Sequence, residues 1–425
     1  MSNVNLHSIS REELDLLEDP FEECHYQRLS YKGRSNIYSL AIPDYNFGAI
    51  DFREPLPQLS ILAALSDGVY ILQENNNNWS TITESVDHGE EFTSLDAYYP
   101  KNSIDGSFLI CYSKTNPDSN TYSLNFSKLA IIEKSIDNKA IEVVDRFCIP
   151  VAWAPLKITH ANYFDHSQGK PSFIVCSSSQ NIYAFIQKSE NSFEFTEAPL
   201  EDIYPELLFL KECESSILSL TIQTTRNVRF IAAGCQDGTL ICKGVRYNSG
   251  AYEFFCSSKT KLYYPISSLI FFEQSEFRDG IFDKALLVTC SVNIAVVFRD
   301  LELVEPIYLT IPYEGDSVLS AALSDVDLDG CQEIVLGTYN QQLLIYKSIG
   351  FKNFTLVSQR KLPYPIYGLI DCDFDADGLK ELIVLTMYGV HVLKPCLSTA
   401  RKRILSYLDY LKNSSDFPCS KDEQA

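Results

Sequence analysis

Asp325-Val-Asp327-Leu-Asp329-Gly330-Cys-Gln-Glu333-Ile-Val-Leu336 decides the fold, because the chain carries this acidic loop twice. The second copy reads Asp373-Phe-Asp375-Ala-Asp377-Gly378-Leu-Lys-Glu381-Leu-Ile-Val384. Gly330 and Gly378 stand 48 residues apart, and so do Glu333 and Glu381. An apolar stretch precedes each loop, at 318–323 and 366–370. Two more follow each one, at 334–336 with 343–346 and at 382–385 with 390–393. A repeat of this length, built of several short strands and no long helix, predicts propeller blades.

The same strand–turn–strand pattern recurs upstream at 61–72, at 108–112 with 122–132, at 173–177 with 181–186, at 230–241 and at 286–290 with 294–298. With the two acidic loops these anchors make seven blades. Asp67-Gly68 and Asp237-Gly238 predict tight hairpins in which glycine takes a positive φ. Most of the runs are continuously apolar, not alternating, so both of their faces are buried. Inner strands held between two neighbouring blades meet that condition. The outer strand of a blade is expected to be more polar, and 354–362 has that character.

The predicted fold is therefore all-β: a seven-bladed β-propeller of four-stranded blades, closed by an N-terminal strand, with a short C-terminal helix. After Leu393 come Pro395 and a helical pattern, so the last blade lacks an outer strand in chain order. The segment His25 to Tyr31, ahead of a first inner strand at 36–42, is expected to supply it and to remove an open sheet edge. Residues 1–24 read as an acidic segment with a short helix, opened by the capping box Ser10-Arg-Glu-Glu13. Residues 25–396 form the propeller, and 397–412 an amphipathic helix with Ile404, Leu405, Leu408 and Leu411 on one face. Residues 413–425 read as a disordered tail, and 74–78 as an exposed loop.

Hydrophobic residues make up 45% of the 425 and aromatics 12%, enough for a large core. The formal net charge of −21 argues against nucleic acid and against an electrostatic grip on anionic lipid, both of which require clustered Lys and Arg. It fits solubility or a basic protein partner. The most apolar stretch, 285–298, is too short to span a bilayer, and 1–7 lacks a signal-peptide pattern. The expectation is a cytoplasmic chain with no direct membrane insertion. Thirteen dispersed cysteines without a Cys-x-x-Cys pair read as reduced core thiols.

The acidic loops offer oxygens at positions one, three, five and nine, a spacing that suits a hard cation such as calcium. The ligands would be Asp325, Asp327, Asp329 and Glu333, and again Asp373, Asp375, Asp377 and Glu381. Carboxylates this close repel one another unless a cation or backbone N–H groups compensate. An Asp-rich turn that bonds its own backbone satisfies the same need, and both readings stand at this level. In either case the loop holds a blade together, so an ion there would be structural. Nucleophile-elbow, phosphate-loop, dinucleotide and zinc-protease motifs are missing. His160 and His166 near Asp165 match no metal spacing and read as part of a loop between blades.

The acidic repeats resemble the FG-GAP units of integrin α-subunit propellers, although the Phe-Gly and Gly-Ala-Pro elements are not evident and Glu replaces Asp at position nine. The stretch from Leu323 to Lys347, with Gly378 to Glu381 and Tyr388-Gly-Val-His-Val-Leu393, is similar to the kaptin family. Ser35-Asn-Ile-Tyr-Ser-Leu-Ala41 and Glu201-Asp-Ile-Tyr-Pro-Glu-Leu207 match weaker family landmarks in order. The resemblance implies a non-enzymatic scaffold subunit of KICSTOR, alongside a second FG-GAP propeller subunit and a large scaffold subunit. It implies that the complex recruits the GATOR GTPase-activating complex to the lysosomal membrane surface and restrains TOR kinase signalling on starvation. The family's association with actin implies a second reading, an actin-associated protein in actin-rich regions. A third is a calcium-binding, integrin-like adhesion propeller.

Overall fold

The computed structural model describes residues 19–43, 60–75, 78–85, 89–100, 107–135, 138–165, 168–189, 192–225, 228–248, 251–273, 284–349 and 353–398, with Arg401, Leu405 and Leu408. A strand that is apolar at every position needs cover on both faces, and seven antiparallel sheets of four strands provide it. Blade 1 runs from Leu40 to Ser85, blade 2 from Glu91 to Val151 and blade 3 from Pro155 to Ala198. Blade 4 runs from Ile217 to Lys261, blade 5 from Ile266 to Leu309 and blade 6 from Val318 to Lys361. Blade 7 combines Ile366 to Pro395 with the early strand Phe21–Arg28. All seven expected anchors fall on this frame: five are the second and third strands of blades 1 to 5, and the acidic loops open the second strands of blades 6 and 7.

Packing follows the two-residue period of a strand. In Ile61–Leu65, Ile61, Ala63 and Leu65 meet Ile383, Leu385 and Val390 of blade 7. Leu62 and Ala64 of the same strand meet Leu95, Phe108 and Ile110 of blade 2. One strand thus serves two interblade cores, and each such Ile or Leu contributes about 1.5–3 kcal/mol of burial. The outer strand Asn353–Lys361 alternates exposed and half-buried positions, as its composition predicted.

Phe21–Arg28 closes the ring by pairing antiparallel with Gly389–Pro395, from Phe21 opposite Pro395 to Arg28 opposite Gly389. The strand begins four residues before the expected His25 and ends at Arg28. Phe21 sets the earlier start, because its ring is buried among Val357, Leu362 and Leu393 between blades 6 and 7. The first inner strand is shorter than expected, only Leu40–Ala41. The residues ahead of it serve as ties instead. Ser35 donates its N–H to Met387 O (3.1 Å) and its hydroxyl to Thr386 O (2.8 Å) in blade 7, and Asn36 Nδ2 donates to Thr93 O (2.9 Å) in blade 2.

Two local expectations change. Gly238 takes φ +83° as predicted, whereas Gly68 does not, because it pairs with Leu65 inside the ladder. Glu74, Asn75 and Asn78 are strand residues, since the hairpin of Gly68–Asn75 and Asn78–Ser85 runs to its tip. The backbone is helical at Leu397, Ser398, Arg401, Leu405 and Leu408, with Leu405 and Leu408 exposed. Ile404, Leu411, the helix expected near Ser10 and the segment 413–425 lie outside the described residues. Among the described residues no helix is long and apolar enough to cross a membrane.

Candidate functional site

The acidic loops join the first and second strands of blades 6 and 7: Val318–Ser324 to Glu333–Thr338, and Ile366–Cys372 to Glu381–Thr386. Alternating strand direction places both at the same end of the wheel. They share one backbone course. Leu328 and Ala376 take φ of 56° and 59°, and Gly330 and Gly378 take 86° and 91°. A Cβ on either glycine would meet nothing within 4 Å, so left-handed φ, not space, selects glycine.

Each carboxylate has a fixed task. Asp325 accepts the N–H of Asp329 and of Gly330, both at 2.9 Å, and Asp373 accepts that of Gly378 at 3.1 Å. Asp329 and Asp377 each accept the N–H two residues on, from Cys331 and Leu379, at 2.8 Å. The position-nine glutamates reach back across the loop: Glu333 accepts the N–H of Val326 (2.9 Å) and Glu381 that of Phe374 (2.8 Å).

A lysine from the third strand of the blade completes each cluster, and sequence reasoning missed both. Lys347 Nζ donates to Asp329 Oδ2 and Asp327 Oδ2 (2.5 Å each) and lies 3.2 Å from Glu333 Oε1. Lys394 Nζ donates to Asp375 and to Asp377 Oδ2 (3.1 Å) and lies 3.4 Å from Glu381 Oε1. Lys347 stands one register step beyond the Ile334–Tyr346 pair, and Lys394 one step beyond Leu382–Leu393. Each is therefore the cross-strand neighbour of its glutamate. The signal in the sequence is a lone Lys directly after the apolar run of the third strand, but only the register connects it to the loop.

Burial, then the adjacent Asp327 carboxylate, pushes Glu333 up to about 8. Burial likewise raises Glu381. For Lys347, burial acts downward but the surrounding carboxylates outweigh it and hold the ammonium well above its usual range. Lys394 behaves in the same way. Carboxyl groups outnumber the ammonium in each cluster, which favours the charged lysine and raises the glutamate.

Oxygens of Asp325, Asp327 and Glu333, and of Asp373, Asp375 and Glu381, gather within 4.8 Å of one another. Calcium takes about 6–8 oxygens arranged around it. In both loops an ammonium stands among the carboxylates of positions three, five and nine, while position one is bonded to loop N–H groups. As arranged, the donor set receives an ammonium in each loop.

His160 belongs to an inner strand, Pro155–Asp165 of blade 3, not to a loop, because its neighbour Ile158 is a core residue. Its Nδ1 is 2.7 Å from Asp96 Oδ2 of blade 2. His166 lies outside the described residues. His160 lines the central channel with Tyr38, Lys157, Thr221 and Tyr367, around a cavity of about 320 Å³. A second buried charge group was also invisible in the sequence. Glu206, in the 3-10 turn Pro205–Glu212, pairs with Arg229 of blade 4, which also binds Asn162 O of blade 3. Tyr204 donates to Ala161 O at 2.7 Å beside them.

Fold and site define a seven-bladed β-propeller closed by its N-terminal strand, with twin acidic loops at one end. The family model described as KICSTOR complex protein kaptin matches residues 21–405, and the chain belongs to that family. The KICSTOR complex protein kaptin of Mus musculus is 30% identical over 277 residues, which cover 61% of this chain and 62% of the mouse protein. Two solved structures have similar folds. A chain of BBS1N in complex with ARL6DN has a TM-score of 0.50 at 10% identity, covering 88% of this chain and 96% of that one. Raptor from Chaetomium thermophilum has a TM-score of 0.50 at 12% identity, covering 87% of this chain and 29% of that one. Likeness at such identity concerns architecture alone.

Proposed function

We propose that this chain is a non-enzymatic adaptor subunit of a KICSTOR-type complex. It joins the second FG-GAP propeller subunit and the large scaffold subunit. That assembly holds the GATOR GTPase-activating complex at the lysosomal membrane surface and restrains TOR kinase signalling when nutrients are short. The family match carries this reading, since residues 21–405 take in the closing strand and every blade. The mouse relative's name places it in the KICSTOR complex.

The end of the wheel opposite the acidic loops is the docking surface in this reading. Connections between blades and between second and third strands meet there, and they display Tyr31 (84% exposed), Tyr263 (77%) and Tyr339 (55%). Tyr364 and Tyr388 join them, edge to face at 5.0 Å. Tyrosines give a large contact area at little cost in side-chain freedom. With a net charge of −21, the occupant is a protein subunit, not a nucleic acid.

Affinity purification of the tagged chain from native cells under gentle lysis, followed by mass spectrometry, tests both statements. The other KICSTOR-like subunits should co-purify; their absence would sink the adaptor reading. A variant with Tyr31→Ala, Tyr263→Ala and Tyr339→Ala should lose them while melting normally. Undiminished recovery by that variant would move the docking surface elsewhere and leave the adaptor reading intact.

A further inference from the structure

Four carboxylates in one loop need compensation by backbone N–H groups, by a cation or by both, and the usual cation is a divalent metal. Here the chain brings its own. Lys347 contacts Asp327, Asp329 and Glu333, and its side chain is only 11% exposed. Lys394 repeats the arrangement on Asp375, Asp377 and Glu381. The two clusters share backbone course, most N–H acceptors and lysine register, so the ammonium is part of the repeat, not an accident of one loop. Each ammonium donates to the carboxylates of positions three and five and forms an ion pair with the glutamate of position nine.

We infer that Lys347 and Lys394 are the resident cations of these loops, and that the propeller holds both loops without calcium. A divalent ion would have to displace an ammonium already in contact with three carboxylates, and the freed lysine would then oppose it at short range. The inference has a converse. Removing the ammonium while keeping the carboxylates turns each loop into a divalent-cation site of the kind its spacing suggests.

Calorimetric titration of the full-length wild-type protein with CaCl2 tests the first statement. No saturable binding is expected up to about 1 mM, the weak end of the range for calcium modules. The melting temperature should be the same with CaCl2 and with EDTA. Saturable binding at micromolar calcium, or a melting temperature that falls with EDTA, would overturn the inference. Lys347→Met should lower the melting temperature in EDTA and recover part of the loss on adding calcium. If that variant does not fold, Lys394→Met at the more open site serves the same purpose. A lysine variant indifferent to calcium and as stable as wild type would equally defeat the proposal.

Discussion

Arg229 and Glu206 illustrate what a single buried contact does in this molecule. Their side chains are 3% and 0% exposed, and burial raises the Glu206 carboxyl despite the opposing Arg229 charge. Arg229→Met would leave that carboxyl buried without its partner, a change that typically costs about 3–5 kcal/mol. The double variant with Glu206→Leu should recover much of that loss in chemical denaturation. If the single and double variants are equally unstable, the pair is not the cause. Histidine supplies a second residue-level test. Burial holds His391 and His25 below 6.5, with Glu23 pulling the other way. The fold therefore favours neutral rings. Their contribution is complete above pH 6.5 and declines as pH falls from 6.5 towards the depressed value. Between about pH 5 and 6.5 the melting temperature of wild type should fall more steeply than that of His391→Gln. Parallel slopes would exclude His391 as the source.

Blade-to-blade contact is decided by small features of whole elements. Gly234 and Gly337 occupy second strands, and a Cβ on either would stand 2.4 or 2.5 Å from Cγ2 of Ile266 or Ile366. Those isoleucines open the inner strands of the next blades, directly after Pro265 and Pro365. The glycine is thus a socket for the neighbour's isoleucine, and the sheets interlock at a fixed angle. Gly337→Ala should overpack that socket and cost about 1–3 kcal/mol, read from denaturant midpoints. Pairing it with Ile366→Val should relieve part of the strain. A neutral Gly337→Ala would mean that the joint yields freely.

The closed ring is a property of the whole molecule. Phe21–Arg28 lies far from its partner Gly389–Pro395 in sequence, yet the two share one ladder. Arg360 fastens the same seam to Phe21 O at 3.1 Å. Deletion of residues 1–28 would strip the outer strand from blade 7 and bare the edge of Gly389–Pro395. The truncated protein should melt several degrees lower and self-associate, as calorimetry and size-exclusion chromatography would record. A monomer with an unchanged melting temperature would show that the ring holds without its seam.

The repeat spacing, the apolar runs and the glycines determined a seven-bladed propeller from sequence alone, because each blade's hairpin is local and its burial pattern is written in consecutive residues. The acidic positions of the two loops were legible for the same reason, and so was a role for an early strand in closing the last blade. The start of that strand at Phe21 was not, since it depends on a pocket between blades 6 and 7. Nor were Lys347 and Lys394, whose place beside the carboxylates is set by strand register. The link from Glu206 to Arg229 and the seating of Ile366 on Gly337 exist only once neighbouring blades meet. Tertiary structure decided these contacts because they join residues that the chain separates and only the closed ring brings within bonding distance.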